Sequence, residues 1–184
     1  MKEKYKNTQH VGSHSKKTTF MDLPSYITGF TDGEGCFSIS FNKREKLKTG
    51  IEIRPSFSIG QNKKNLGILK QIHAYFGCGA IRFSKSDQTY KYEVRSIKDI
   101  RSKIIPHFEK YPLLTNKKTD FEIFKQICDY IATSKHLNKK YLEEIVIMAY
   151  MMNESGKRKY TKEDILRIVG MRWKYSLNYN ESYR

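Results

Sequence analysis

Apolar and polar positions repeat with two periods along this chain, and each change of period marks an element. From Pro24 to Thr31 the apolar residues Ile27 and Phe30 stand three apart, with Asp22 placed to cap and Pro24 suited to a first turn. The spacing predicts a helix that stops in the glycine-rich run Asp32-Gly33-Glu34-Gly35. The period then becomes two. Phe37, Ile39 and Phe41 alternate with Ser38, Ser40 and Asn42 over Cys36–Asn42. After a charged loop from Lys43 to Gly50, Ile51, Ile53, Pro55, Phe57 and Ile59 alternate with Glu52, Arg54, Ser56 and Ser58. Two strands follow, each with one apolar and one polar face.

The helical period returns over Asn65–Phe76, where Leu66, Leu69, Ile72, His73 and Phe76 share one side until Gly77 and Gly79 break it. His73 reads there as a core or boundary histidine. A second hairpin is predicted at Ala80–Ser84 and Thr89–Ile97, turning at Lys85-Ser86-Asp87-Gln88. In its return strand Tyr90, Tyr92 and Val94 oppose Lys91, Glu93 and Arg95. Beyond it come a short helix at Lys98–Phe108, a turn at Tyr111–Leu114, helices at Thr119–Ala132 and Asn138–Met152, and a last one at Glu163–Trp173. The order α-β-β-α-β-β-α-α, with further helices, is that of an α+β domain around a four-stranded antiparallel sheet. Residues 1–22 read as a basic flexible tail, 23–176 as a single domain and 177–184 as a polar C-terminal tail.

Charge changes the picture most. Against 19 Asp and Glu stand 35 Lys and Arg, a net +16 over 184 residues. Such an excess repels itself in a small fold and calls for a polyanionic partner, nucleic acid first. The 38% of hydrophobic residues suffices for a core. No run of 18 apolar residues is present to span a bilayer, and no basic helix has an aromatic face to lie on one, so no membrane partner is expected. Cys36, Cys78 and Cys128 are scattered without a C-x-x-C pair, which points to small buried thiols in a reducing compartment, not to zinc or disulfides. Lys157-Arg158-Lys159 reads as a solvated loop or a non-specific phosphate contact.

The polar sheet face has an unusual content: Ser38, Ser40, Asn42, Arg54, Ser56, Ser58, Arg82, Ser84, Lys91 and Arg95, with Glu93 as its one acid and Glu52 at the edge. A solvated face ordinarily mixes both signs. A β-ribbon of donors and acceptors is suited to the major groove of double-stranded DNA, where all four base pairs differ. These ten residues are the expected DNA-binding set.

Ile27-Thr28-Gly29-Phe30-Thr31-Asp32-Gly33-Glu34-Gly35 carries the candidate chemistry. Gly29 and Gly33, four apart, leave one helix face bare for another helix to approach. Glu34 ends the helix just before the DNA-facing strand, and its carboxylate needs a cation between itself and a phosphodiester; Mg²⁺ is the hard, oxygen-seeking choice. The local spacing alone also permits a glycine-rich helix cap with exposed acids. A calcium loop lacks its third acid and its downstream Glu.

The nine residues resemble the motif of the LAGLIDADG homing endonuclease family, with Thr31 in a normally apolar slot. The hairpin ending Phe57-Ser58-Ile59-Gly60-Gln61, the break Phe76-Gly77-Cys78-Gly79, and Tyr111-Pro112-Leu113-Leu114-Thr115-Asn116-Lys117-Lys118 also resemble family features. The resemblance spans Leu23 to Met152. It implies an αββαββα fold and, with one motif per chain, a homodimer packed through Ile27, Gly29, Phe30 and Gly33. It implies that Glu34, with the Gly33 carbonyl, holds Mg²⁺, or Mn²⁺ or Ca²⁺ in the same sites. Gln61 would orient solvent, and Lys117, or next Lys118, would stabilise phosphate charge. Asp32 would cap the motif helix or support the site, and Asn65 occupies a position the family sometimes fills with a basic residue. The implied reaction is hydrolysis of both DNA strands at a pseudo-palindrome of about 20 base pairs, leaving short 3′ overhangs. The alternative is an RNA maturase serving intron RNA, or an inactive DNA binder of the same fold. The expected location is a mitochondrion or chloroplast in a eukaryote, otherwise the cytoplasm.

Overall fold

The computed structural model describes residues 22–153 and 156–181; of the tail expected over residues 1–22 all but Asp22 lies outside them, as do residues 182–184. Helix α1 (Leu23–Glu34) runs directly into strand β1 (Gly35–Lys43). It ends at Glu34, inside the expected glycine-rich stop, because the Gly35 amide still donates to the Thr31 carbonyl and keeps the last turn bonded. Only glycine closes this junction. A Cβ at Gly35 would sit 2.5 Å from Thr31 Cγ2 and 2.8 Å from the Thr31 carbonyl oxygen. At the other end Asp22 makes no side-chain bond to the helix backbone; its carboxylate accepts from the Ser25 hydroxyl.

Strands β2 (Ile51–Asn62), β3 (Ala80–Ser84) and β4 (Thr89–Val94) complete an antiparallel sheet in the order β1-β2-β4-β3. Register sets the faces. Phe37 pairs with Phe57, and Phe57 with Val94, on the inner face; Ser40 pairs with Arg54, Ser58 with Glu93 and Arg82 with Lys91 on the outer. The predicted outer residues that lie in the strands therefore share one face, while Arg95 stands just past the end of β4. The fourth strand stops at Val94, short of Ile97, because Ser96 caps the next helix by accepting from the Asp99 amide at 3.3 Å.

The helices cover the inner face. They are α2 (Leu66–Phe76), α3 (Ile97–Asp99), α4 (Ile105–Lys110), α5 (Lys117–Ala132), α6 (Lys139–Met151) and α7 (Lys162–Glu181). A π-helical turn, Ile100–Ile104, joins α3 to α4, so that residues 97–110 form one helical stretch. The wider turn accommodates Pro106, which brings no amide to the ladder, and keeps Ile104, Ile105 and Phe108 all turned inward. Phe37 is the hub of the core: its ring lies 5.2 Å from those of Phe57 and Phe108, 5.3 Å from Phe121 and 5.4 Å from Phe124. The last helix outruns its predicted end at Trp173 and takes in residues 177–181, expected to be tail. Among the described residues no helix is long and apolar enough to cross a membrane.

The outer edge of β1 is closed by side chains from the segment after α6. Asn153 Nδ2 donates to the Phe37 carbonyl at 2.7 Å, and Arg158 NH1 to the Ile39 carbonyl at 3.1 Å. Arg158 also donates to the Met152 carbonyl at 3.0 Å and to the Ala149 carbonyl, with its guanidinium 4.5 Å from the Tyr150 ring centroid. Arg158 is therefore not a solvated or phosphate-facing residue; it stitches α6 to an edge strand that would otherwise present open carbonyls. Cys78 and Cys128 are buried thiols, but Cys36 is half-exposed, with Sγ 3.8 Å from Asn153 Oδ1; burial still pushes its pKa up.

Candidate active site and DNA-facing sheet

The motif helix ends against the turn that starts α5, and the two are tied reciprocally. The Asp32 carboxylate accepts from the Leu114 amide at 2.8 Å, the Thr115 hydroxyl at 2.7 Å and the Thr115 amide at 3.4 Å. The Thr115 hydroxyl in turn accepts from the Lys117 amide at 3.2 Å. Lys117 then reaches back, and its Nζ donates to the carbonyls of Thr31 at 2.8 Å and Asp32 at 2.9 Å. Asp32 thus organises the entry to α5 and does not cap its own helix. Last-turn carbonyls of a helix carry partial negative charge, and α1 has no basic residue in its own last turn; Lys117 supplies the missing cation from outside. Lys118, the other candidate, is exposed and joins this turn only through its amide, which donates to the Thr115 carbonyl at 3.0 Å.

Glu34 is the last residue of α1, exposed, with no ion pair among the described residues. Its neighbour Gly35 pairs with Ile59, two residues before Gln61, so the end of β2 runs beside the end of the motif helix. Gln61 Oε1 accepts from Asn65 Nδ2 at 2.9 Å. Asn65, in the slot where a base was missing, is therefore the partner that fixes the Gln61 amide. No group of three or more His, Cys, Asp or Glu side chains suited to a metal occurs among the described residues. Oxygen donors at the motif end amount to one carboxylate and the adjoining carbonyl, half of a hard-cation site and suited to completion from outside the chain.

On the sheet face the predicted set divides. Ser56 and Ser58 are buried, at 8% and 5% exposure, and Ser56 Oγ donates to Glu93 Oε1 at 2.9 Å. They sit at the centre of the sheet under longer neighbours and are not available as contacts in this conformation. Ser38 and Ser40 donate to the Ser56 and Arg54 carbonyls, each at 3.4 Å. Reach remains with Asn42, Arg54, Arg82, Ser84, Lys91 and Arg95. The two acids on the face are neutralised. Glu52 lies 3.0 Å from both Arg44 and Arg54, whose hydrogen bonds hold its carboxyl below the usual range. Burial pushes the Glu93 carboxyl up, but Ser56, Lys91 and Arg95 together outweigh it and hold it below the usual range.

The open stripe of α1 is one residue removed from the expected one. Ile27 is 0% exposed and belongs to the core, so it cannot meet another chain. Tyr26, Gly29, Phe30 and Gly33 form the outward i, i+3, i+4, i+7 row. Tyr26 stacks on Phe30 at 5.7 Å, and a Cβ at Gly29 or Gly33 would meet nothing within 4 Å. Leu114, held by Asp32, is 90% exposed beside the same helix end. Sequence spacing missed Tyr26, because which side of α1 faces inward is set by the sheet beneath it.

A further group supports α1 from behind. Thr28 Oγ1 lies 3.2 Å from His107 Nε2 and donates to the Tyr111 carbonyl at 3.1 Å, and the Tyr75 hydroxyl lies 3.0 Å from His107 Nδ1. These distances fit a neutral imidazole with its proton on Nε2. Burial lowers the His107 pKa to about 4. Nothing in the local periodicity marked His107, which meets Thr28 across 79 residues of chain.

The sequence model of the LAGLIDADG endonuclease family matches residues 27–128. The chain is 37% identical over 147 residues to the probable intron-encoded endonuclease 2 of Neurospora crassa, covering 79% of this chain and 32% of the relative. It thus spans about a third of that longer fungal protein. Homing endonuclease I-ApeII of Aeropyrum pernix is 30% identical over 154 residues, 80% of this chain and 90% of the relative. Among solved structures, the archaeal intron-encoded homing endonuclease I-Vdi141I complexed with DNA superposes with a TM-score of 0.75 at 30% identity, covering 81% of this chain and 95% of that one. The motif, the sheet order and these matches agree, and the chain belongs to the LAGLIDADG endonuclease family.

Proposed function

We propose that the chain is a site-specific, Mg²⁺-dependent endodeoxyribonuclease acting as a two-fold dimer on a long pseudo-palindromic duplex. Glu34 carries this reading. It is an exposed carboxylate, without an ion pair among the described residues, at the negative end of a helix dipole, beside a cationic sheet. Near phosphate that charge is doubly unfavourable. A divalent cation between the two reverses the sign. Glu34 and the Gly33 carbonyl suit Mg²⁺, which is bound through one or two carboxylates and otherwise keeps phosphate and water oxygens. Mn²⁺ or Ca²⁺ would be held by the same oxygens. Mg²⁺ bound there supplies Lewis acidity and a more acidic water.

The remaining tasks fall to side chains. With its Oε1 occupied by Asn65, Gln61 has its amide N–H groups free to hold the attacking water. Lys117 spends two donors on the α1 carbonyls and keeps a third for charge developing on the phosphate. Water attacks phosphorus, the bond to the 3′ oxygen breaks, and the products are a 3′-hydroxyl and a 5′-phosphate. Cuts on the two strands leave short 3′ overhangs. The single motif within these 184 residues and the open Tyr26-Gly29-Phe30-Gly33 row support pairing with a second copy, which brings two Glu34 carboxylates together. The Neurospora relative's intron-encoded name supports an intron origin, and with it an organelle as the location.

The test is cleavage of a plasmid library of candidate insertion sites with Mg²⁺, by wild type and Glu34→Gln. The wild type should give double-strand breaks with 3′ overhangs, and Glu34→Gln should bind the recovered site without cutting it. Duplex binding with no break under any divalent metal would overturn the nuclease reading, and tight binding of intron RNA in its place would establish the maturase. Undiminished cutting by Glu34→Gln would remove that residue from the mechanism.

A further inference from the structure

A carboxylate in the middle of a face that meets phosphates weakens binding unless it serves its neighbours. Glu93 stands on β4 opposite Ser58 of β2 and Ala80 of β3, and is 9% exposed. Its Oε1 accepts from Ser56 Oγ at 2.9 Å and Arg95 NH2 at 3.1 Å, and lies 3.5 Å from Lys91 Nζ. Its Oε2 lies 3.0 Å from Arg95 Nε. Arg95 therefore engages both carboxylate oxygens through adjacent nitrogens, the paired geometry a guanidinium prefers.

Despite these bonds, the side chains of Lys91 and Arg95 remain 54% and 53% exposed. A guanidinium has five N–H groups, so three on Arg95 stay available and their plane is fixed. Two cations against one acid leave the cluster with a net positive charge, still attractive to a polyanion. An arginine already ordered loses less conformational freedom on binding. Left alone, such a side chain would swing to the nearest phosphate, a contact that carries no sequence information.

We propose that Glu93 is a positioning residue for sequence readout: it holds Arg95 and Lys91 so that their free donors meet base edges in the major groove. The inference rests on the duplex-binding function proposed above. It makes a prediction of crossed sign. Neutralising an acid on a DNA-facing surface strengthens non-specific attraction, whereas releasing Arg95 and Lys91 weakens discrimination.

Wild type, Glu93→Gln, Ser56→Ala and Arg95→Ala are each equilibrated with duplexes randomised over about two helical turns. Bound molecules are sequenced, and affinity for the unselected pool is titrated against salt. Glu93→Gln should bind the pool more tightly, with a salt slope steeper by about one charge. Its discrimination at one or two positions per half-site should fall by about tenfold, the worth of a bidentate base contact. Arg95→Ala should lose the same positions while binding the pool more weakly. Ser56→Ala, which loosens the carboxylate at constant charge, should lower discrimination there with no gain in pool affinity. Full discrimination in both Glu93→Gln and Ser56→Ala would overturn the proposal, as would losses at positions that Arg95→Ala leaves intact. A wild type that enriches no duplex would instead overturn the DNA-binding function itself.

Discussion

Lys117 Nζ lies 2.9 Å from the Asp32 carbonyl oxygen, while the Asp32 carboxylate holds the turn on which Lys117 stands. Each residue fixes the other, and the loop closed between them brings a cation from the second half of the domain to the end of the motif helix. Removing either partner has different consequences. Lys117→Met deletes the charge: cleavage of a recovered target should fall by about 100-fold or more, as for loss of one preorganised donor, with affinity little changed. Asp32→Ala keeps the Lys117 charge but removes the acceptor that holds its turn, and with these exposed bonds lost should lower stability by about 1 kcal/mol. Single-turnover cleavage and urea unfolding on both variants separate the two effects. Equal cleavage by Lys117→Met and wild type would leave Lys117 a purely structural cap.

The outward row on α1 makes the dimer testable without damaging the fold. Space around Gly29 is open in the single chain, so Gly29→Leu should not lower the melting temperature measured at low concentration. A helix-interior glycine costs roughly 0.5–1 kcal/mol relative to Ala, so a small rise is expected. Between two copies, the same side chain blocks close approach of the helices. Light scattering on the DNA complex should therefore give a two-chain mass for wild type and none for Gly29→Leu. A persistent two-chain mass would place the interface elsewhere.

Element order, sheet faces and the motif were legible because each is written in local periodicity. Phe37-Ile39-Phe41 against Ser38-Ser40-Asn42 needs no partner to be read, and the observed register keeps those faces. What escaped was decided by distant residues. Ser56 and Ser58 have the right parity, but their burial depends on the strands and long side chains beside them. Arg158 looks like any basic loop residue until the open edge of β1 is placed against it. Ile27 and Tyr26 are neighbours on a helix whose inward side is set by the sheet it lies upon, and the choice between them is a tertiary matter. The site divides in the same way: Glu34 and Gln61 stand in recognisable motif positions, whereas the bond from Asn65 to Gln61 and the support of Thr28 by His107 exist only in three dimensions.

Thr31 fills an apolar slot at a cost. Its hydroxyl oxygen is fully buried with no hydrogen-bond partner among the described residues, while its methyl packs over the Gly35 junction. Thr31→Val keeps the shape and removes the unsatisfied group, and should stabilise the chain by about 1 kcal/mol. In a domain of this size that raises the melting temperature by roughly 2–4 °C. Calorimetry is the check, and a fall in melting temperature would mean that the hydroxyl has a bound partner such as water.

His107 gives the fold an acid sensitivity in a window the carboxylates do not reach. Buried behind Thr28, it is neutral in the folded chain with a pKa of about 4, against an ordinary value of 6.5. Between these values the unfolded chain takes up a proton that the folded chain refuses, so stability falls as pH drops from about 6.5 toward about 4. The slope approaches about 1.4 kcal/mol per pH unit once the unfolded imidazole is mostly charged. Held-down carboxylates such as Glu93 also lose their contribution in acid, but only as pH enters the carboxylate range. Urea unfolding between pH 7 and pH 5 therefore isolates the histidine. His107→Gln should be less stable than wild type at pH 7, because it loses ring packing against Phe76 and Phe108, yet show a flatter pH dependence across that interval. A slope unchanged by the substitution would assign the acid sensitivity to another group and leave His107 with packing alone.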